Sequence, residues 1–157
     1  MNSLHTQERG ASLLEILVSL IILAIGLLGL AALQTVGAKS GFSAYHRSQA
    51  TWLAYDMSDR MRTNRTAALA NNYNTAMPST PPACSANLPT AGTLASRDVA
   101  EWRNQVACLL PSGNASVARD TADPTVFIIR IQWDDVRGDI QPTTATSIET
   151  FEFRTAI

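Results

Sequence analysis

The sequence predicts an α+β fold in which a long N-terminal helix, membrane-spanning in its first half, packs on a small antiparallel β-sheet. Three observations lead to this prediction. Residues 11–33 form one apolar run, no proline interrupts residues 11–70, and the C-terminal third holds segments that alternate between apolar and polar residues. A helical part followed by a run of strands is typical of the α+β class.

The apolar run reads ASLLEILVSLIILAIGLLGLAAL and spans residues 11–33. As a helix it is about 35 Å long, enough to cross a hydrocarbon core of about 30 Å. It is apolar on all sides, unlike a surface helix of a soluble domain. We therefore predict a leader at 1–10, a transmembrane helix at 11–38 and a globular domain at 39–157.

An ordinary secretory signal peptide is the alternative explanation of the apolar run. Its hydrophobic region would be unusually long, and no small-x-small site closes it before a polar mature start. The better candidate cut lies between Gly10 and Ala11, before the apolar run. A cut there leaves the apolar helix in the mature protein.

Glu15 is the one ionisable side chain between Ala11 and Ala38. A carboxylate in a bilayer costs a few kcal/mol and usually has a partner. A cut after Gly10 would create an α-amine on Ala11, four residues before Glu15. Glu15 could pair with this amine or with that of a neighbouring subunit, and a buried pair between helices is best known as a device that sets their register.

Three glycines, Gly26, Gly29 and Gly37, lie within or just after the apolar run. Each costs about 1 kcal/mol relative to alanine in a helix interior. Two interpretations stay open and are compatible. Small residues let neighbouring helices approach closely, and glycines mark a place where the helix can stretch or unwind.

Residues 42–68 continue as a helix with an apolar stripe at helical spacing. Asp56 and Arg60 are four residues apart and are expected to support this helix as an ion pair. Because no proline intervenes, the spanning helix is expected to pass directly into this one. The predicted core stripe consists of Phe42, Tyr45, Leu53, Met57 and Met61.

Residues 71–97 contain four prolines and many small polar residues, which predicts irregular structure. Cys84 lies here and Cys108 follows in the next element. If the domain lies outside the cytoplasm, a disulfide between them is the expected state. Two buried free thiols are the alternative.

A second, shorter helix is predicted at 99–110, and three segments after it are predicted strands. Asp98 and Glu101 resemble a capping box, while Pro111 and Gly113 end the helix. Its apolar stripe consists of Val99, Trp102, Val106 and Leu109. The strands are expected at 125–133 and 150–155, where β-branched and aromatic residues alternate with polar ones, with a shorter one at 114–118.

Neither charge nor motifs indicate catalysis. The net charge of −1 does not suggest nucleic acid as a partner. His5 and His46 lack neighbouring ligands at metal spacing, and no phosphate loop or nucleophile elbow is present. Asp134, Asp135 and Asp139 could offer oxygens to calcium, but a turn at the end of a strand explains the same residues and is the preferred interpretation. We expect no enzyme activity, cofactor, metal or small-molecule substrate.

The string G-A-S-L-L-E at 10–15, followed by the apolar helix, resembles the leader and N-terminal helix of type IV pilins. The resemblance implies that a prepilin peptidase in the inner membrane cuts after Gly10 and methylates Ala11. It also implies that Glu15 docks the subunit into a growing filament. The first mature residue of the family is usually phenylalanine, whereas here it is alanine.

The segments LVSLIILAIGLLGLAALQ, SQATWLAYDMSDRMRTNR, EWRNQVACLLP and IIRIQWDD resemble the PilV group of minor pilins, the type IV pilus modification proteins. This resemblance implies a single-pass inner-membrane subunit with a periplasmic C-terminal domain. The subunit would join other minor pilins and the major pilin in starting or tipping a pilus. Two alternatives remain, a type II secretion pseudopilin and a membrane-anchored periplasmic binding domain that enters no filament.

Overall fold

The structure is a computed structural model that describes residues 13–136, 138 and 147–157. The predicted leader at 1–10, Gly10, Ala11 and Asp139 lie outside these residues. The elements, in chain order, are α1 (Leu13–Thr63), α2 (Arg65–Leu69), α3 (Leu94–Leu109), β1 (Asn114–Arg119), β2 (Val126–Asp134) and β3 (Ile148–Ala156).

A single helix, α1, covers both the apolar run and the amphipathic segment after it, as predicted. By its internal contacts the chain divides into two units between Ala38 and Lys39, a position inside α1. All described residues before this division are exposed. After it, buried residues recur every three or four positions, namely His46, Ala50, Leu53, Ala54, Met57, Ser58 and Met61.

The three strands form one antiparallel sheet in the order β1-β2-β3. Successive residues of a strand face opposite sides of a sheet, and in β2 the side chains of Phe127, Ile129, Ile131 and Trp133 are the buried ones. They form the core of the soluble unit together with buried residues of α1 and α3. The predicted α+β fold, with a long helix packed on a small antiparallel sheet, is therefore confirmed.

Contacts between α1 and β3 fix the helix to the sheet. The rings of Tyr55 and Phe153 meet edge to face with centroids 4.9 Å apart. The hydroxyls of Ser58 and Thr155 lie 3.2 Å apart in a buried hydrogen bond. A buried hydroxyl without a partner would destabilise the fold, so each of these two hydroxyls satisfies the other.

The core stripe predicted for α1 is right for Leu53, Met57 and Met61 and wrong for Phe42 and Tyr45, which are exposed. Phe42 precedes His46, the first buried residue of the helix, and Tyr45 points away from the buried stripe. The positions that do face the sheet include alanine, serine and histidine, which a search for large apolar residues passes over. The helix also ends earlier than predicted, at Thr63, and the short α2 follows it.

Helix α3 begins five residues before its predicted start, and the predicted capping box is wrong. Its N-cap is Thr93, whose hydroxyl accepts a hydrogen bond from the backbone N–H of Ser96. Asp98 and Glu101 lie inside the helix and contact other elements. The predicted stripe is buried at Trp102 and Val106, while Val99 is half-buried and Leu109 is exposed.

The turn that follows α3 requires a glycine. A Cβ on Gly113 would collide with the carbonyl oxygen of Val106, in the last turn of α3. This close approach allows the chain to reverse directly into β1. It confirms that Pro111 and Gly113 mark the end of α3, which stops at Leu109.

Candidate functional site: an apolar helix with one carboxylate

The first part of α1 presents large apolar side chains on every side. Among the described residues, α1 is the one helix long and apolar enough to cross a membrane, by length and composition. Exposing such side chains to water is unfavourable by about 25 cal/mol per Å². The helix therefore requires lipid or other apolar helices around it, which is consistent with membrane anchoring.

Glu15 lies near the start of α1 as the structure describes it. The hydroxyl of Ser19 donates to the main-chain carbonyl of Glu15 at 2.8 Å, so this contact does not engage the carboxylate. No described residue forms an ion pair with that carboxylate. Because Gly10 and Ala11 lie outside the described residues, the pair between Glu15 and a new α-amine stays a prediction.

The glycines of the apolar segment are not required by contacts within the described chain. A Cβ on Gly26, Gly29 or Gly37 would meet no described atom within 4 Å. The hydroxyl of Thr35 is satisfied inside the helix by the carbonyl of Ala31 at 3.0 Å. The glycines therefore leave room for another helix to approach the backbone closely.

The two cysteines form a disulfide, which is the state expected if the domain lies outside the cytoplasm. Cys84 and Cys108 have Cα atoms 4.7 Å apart. The side-chain amide of Asn104 holds the same loop, since it accepts from the backbone N–H of Ser85 at 2.8 Å and donates to its carbonyl at 2.9 Å. The proline-rich loop is thus tied to α3 at two neighbouring points.

Arg60 of α1 is the centre of a polar network that sequence reasoning recognised only in part. Its guanidinium pairs with Asp56 at 2.9 Å, as predicted, and also with Asp98 at 3.5 Å and Glu101 at 2.9 Å on α3. Burial lowers the pKa of Arg60, but its hydrogen bonds and the charges of Glu101 and Asp56 outweigh burial and raise it. The hydrogen bond and charge of Arg60 in turn hold the pKa of Glu101 below its usual value.

Tyr73 extends this network into the segment after α2. Its hydroxyl donates to the carboxylate of Asp98 at 2.6 Å and accepts from the side-chain amide of Asn64 at 3.2 Å. Burial, followed by the hydrogen bond to Asp98, raises the pKa of Tyr73 to about 12. The phenol is therefore neutral at physiological pH, and its role here is to position the chain after α2 against α3.

A buried pair between His46 and Asp135 was missed by the sequence analysis. The imidazole Nδ1 lies 3.2 Å from Oδ1 of Asp135, and both side chains are almost inaccessible to solvent. A Cβ on Gly138 would lie 2.7 Å from that carboxylate and 2.8 Å from the Cβ of Ser43. No local signal could have revealed this pair, since its members are 89 residues apart in the sequence.

Asp134 and Asp135, the two described aspartates that could offer oxygens to calcium, have other partners in the structure. Asp134 accepts from the backbone N–H of Val136 at 3.0 Å, which is a turn contact, and Asp135 pairs with His46. Within the described residues, no group of three or more His, Cys, Asp or Glu is placed to hold a metal ion. These contacts support the turn interpretation of Asp134.

A groove on the outer face of the sheet has a volume of about 520 Å³. Polar side chains such as Asn74, Ser116 and Gln132 line it, with Met77 beside them. Arg130 also lines it, but its guanidinium is engaged with Glu152 at 2.8 Å. This lining offers hydrogen bonds and shape rather than groups for acid–base or nucleophilic chemistry.

A long N-terminal helix, exposed and apolar in its first part and packed on a three-stranded antiparallel sheet in its second, defines a pilin-like α+β architecture. Residues 32–100 match the family model described as Tt1218-like: Type IV pilin Tt1218. The match covers less than half of the chain and supports a place in the type IV pilin-like superfamily. No curated protein and no solved structure matches the chain.

Proposed function

We propose that this chain is a minor pilin, of the PilV kind, that is anchored in the inner membrane and built into a type IV pilus. In this proposal residues 1–10 are a leader, 11–38 a transmembrane and filament-core helix, and 39–157 a periplasmic domain. The observation that carries it is α1, in which an apolar helix with a single carboxylate continues into a folded pilin-like domain. The pilin family match over residues 32–100 supports it independently.

Assembly begins with a cut between Gly10 and Ala11 by prepilin peptidase, which also methylates the new amine. The cut removes the charged leader and creates a positive charge four residues before Glu15. The Glu15 carboxylate then attracts the amine of a neighbouring subunit, and neutralising two charges in an apolar surrounding favours one axial register. Other minor pilins and the major pilin are the partners that supply such an amine.

The apolar part of α1 serves two environments in turn. In the membrane its side chains lie among lipid tails, and in the filament they lie among the same helices of other subunits. Because both surroundings are apolar, the exchange involves little change in hydrophobic burial, and close packing at small residues favours the filament. The chain's role is structural, without a catalytic step, cofactor or small-molecule substrate.

Intact mass and N-terminal sequencing of the protein recovered from native membranes test this proposal. A mature chain that begins at Ala11, with the helix retained, is the expected result, and an added methyl group would mark the amine. A chain that begins after Leu33 would identify an ordinary signal peptide and overturn the proposal. A chain that still carries Met1 or Asn2 would identify a simple membrane anchor.

Incorporation of this protein into pili distinguishes a pilus subunit from a type II secretion pseudopilin, which carries the same kind of leader. We expect the processed protein to be present in sheared pili and to be needed for normal numbers of pili. A pseudopilin would instead be needed for secretion of folded proteins through a type II system. Loss of secretion with unchanged pili, after deletion of the coding sequence, would therefore replace the minor pilin assignment.

A further inference from the structure

Within the described residues, the chain covers one edge of its sheet and leaves the other open. At the β1 edge, the main chains of Val117 and Thr75 exchange hydrogen bonds of 2.8 and 3.0 Å. The guanidinium of Arg103 donates to the carbonyl of Ala115 on the same edge, at 3.3 Å. At the β3 edge, no main-chain group of a described residue bonds to the side that faces away from β2. An unpaired edge strand is a template for another extended chain.

The main-chain groups that this open edge of β3 presents follow from its register on β2. In an antiparallel pair, opposite residues alternate between exchanging main-chain hydrogen bonds and exchanging none. The N–H of Asp135 donates to the carbonyl of Ser147, and that of Ile157 donates to the carbonyl of Thr125. These bonds continue the register at its two ends, so the odd-numbered residues of β3 bond to β2 and the even-numbered ones direct N–H and C=O groups outward. The outward residues, all exposed, are Ile148, Thr150, Glu152, Arg154 and Ala156.

Aromatic surface lies beside the open edge, on the face of β3 that packs on α1. Phe151 and Phe153 belong to this face, yet both are only half-buried. The ring of Tyr55 meets that of Phe153 edge to face and is itself 51% exposed. Opposite side chains on adjacent antiparallel strands have Cβ atoms about 4.5–5.5 Å apart. Apolar residues of an added strand would therefore bury these rings further.

The other face of the open edge carries one acidic and one basic side chain, Glu152 and Arg154. They pair with Arg130 and Asp120 within the chain, but 40% of the Glu152 side chain and 57% of the Arg154 side chain stay exposed. An antiparallel added strand would place one residue directly opposite each of them. Opposite charges stabilise such cross-strand pairs, and like charges destabilise them. This edge therefore favours a segment with a basic residue opposite Glu152 and an acidic residue opposite Arg154.

We propose that the open edge of β3 binds an extended segment of another protein, which pairs antiparallel with Ile148–Ala156 and adds a strand to the sheet. The inward side chains of this segment are apolar and cover the half-buried rings. Its outward side chains place a basic residue opposite Glu152 and an acidic residue opposite Arg154. Main-chain hydrogen bonds supply the affinity, and the alternating side chains supply the selectivity. This inference goes beyond the proposed function and does not depend on entry of the chain into a pilus.

Binding of a synthetic peptide to the purified full chain in detergent tests the proposal. The probe has nine residues, as β3 does, with valine at inward positions, lysine opposite Glu152, glutamate opposite Arg154 and threonine elsewhere. The control peptide has the lysine and the glutamate exchanged. We expect fluorescence anisotropy to show binding of the probe and about tenfold weaker binding of the control. Equal binding of the two peptides, or no binding of the probe at about 1 mM, would overturn the inference.

Two variants of Thr150 test whether the main chain of the edge is what binds. Thr150→Pro removes an outward N–H and keeps the ladder with β2, because proline is tolerated where the N–H of an edge strand faces solvent. Thr150→Val keeps that N–H, and both variants lose the hydrogen bond that Gln132 donates to the threonine hydroxyl. We expect the probe to bind Thr150→Val and not Thr150→Pro. Equal binding would contradict main-chain pairing. Dimers of the full chain that disappear in Thr150→Pro would assign the edge to a second copy and overturn the proposed partner.

A charge exchange on the protein provides a test that does not depend on the fold of the proline variant. In the double variant Glu152→Arg with Arg154→Glu, the preference between the two peptides should reverse, since each charge then meets its opposite in the control peptide. Urea unfolding followed by tryptophan fluorescence verifies that the variant is folded. A folded double variant that still prefers the original probe would overturn the proposed pairing.

Discussion

Arg60 joins two helices of the soluble domain through one guanidinium group. It reaches Asp56 on its own helix and two carboxylates on α3, and about four-fifths of its side chain is shielded from solvent. Its planar group, with five N–H donors, can serve several carboxylates at once, which a lysine could not do with the same geometry. At the residue scale, we expect loss of the Arg60 side chain to lower the stability of the domain more than loss of an exposed ion pair.

Replacing Arg60 with alanine is expected to destabilise the domain by about 1–3 kcal/mol, because three carboxylates would face one another without a cation. Urea unfolding of the full chain in detergent, followed by tryptophan fluorescence, measures the change. Arg130→Ala is the control, since its ion pair with Glu152 is exposed on both sides and should contribute less than about 1 kcal/mol. Equal losses in the two variants would contradict the special position of Arg60.

The lowered pKa of Glu101 predicts how this network responds to acid. A carboxylate whose pKa is lower in the folded than in the unfolded state adds stability above its unfolded value, near 4.5. That contribution is lost as the pH falls through the lower folded pKa. The stability difference between the wild type and Glu101→Gln should therefore be present at pH 7 and shrink steadily below pH 4.5. A difference that stays constant down to about pH 3 would show that the ion pair with Arg60 contributes nothing.

The loop between α2 and α3 is the element whose order depends most on specific links. Its prolines and small residues form no helix, and its one β-bridge joins Thr75 to Val117 of β1. Beyond that point the disulfide and the amide of Asn104 tie it to α3. At the element scale, covalent and polar links hold the residues of this loop that follow Thr75, none of which belongs to the buried core.

Replacing Cys84 and Cys108 together with serine should cost about 3 kcal/mol, because the 24-residue separation leaves a long unfolded loop unconstrained. Urea midpoints with and without a reductant supply the matched comparison. Reductant should lower the wild-type midpoint to that of the double variant and leave the variant itself unchanged. A fully reduced wild type, verified by thiol labelling, that keeps its original midpoint would contradict this role of the disulfide.

On the scale of the whole molecule, α1 combines an apolar surface with a domain that folds around its later turns. Its first unit is exposed throughout the described residues, whereas the second supplies buried side chains to a core. Such a chain is unfavourable in water by itself, because no described residue buries the apolar side chains of the first part of α1. Assembly is the step that would provide this covering outside the membrane.

Glu15→Val is expected to leave cleavage after Gly10 largely intact and to reduce incorporation into pili strongly. The carboxylate is proposed to attract a neighbour's amine, and valine keeps the helix apolar without that attraction. Quantitative immunoblots of sheared pili and of membranes measure both effects. Ser19→Ala is the control, since it removes a hydroxyl one helical turn away that contacts only the main chain of Glu15. Incorporation of Glu15→Val at the wild-type level would remove the docking role.

Much of the fold was predictable because its signals are local. The continuous helix, the three strands and the end of α3 follow from hydrophobic period, β-branched residues and the Pro111–Gly113 turn, all of which operate over a few residues. The pairing of the two cysteines followed from their number and expected compartment. Glu15 could also be recognised from the sequence, because its immediate neighbours in the chain are apolar.

The sequence by itself determined the long helix, the second helix and the three strands of this protein, and it placed a single carboxylate, Glu15, in the apolar run. Only the tertiary structure decided which turns of α1 the sheet covers, and hence that Phe42 and Tyr45 are exposed. It also showed that the N-cap of α3 is Thr93 and not the predicted Asp98, and that His46 pairs with Asp135. Local periodicity fixes secondary structure, whereas contacts between residues up to 89 positions apart depend on how the elements pack.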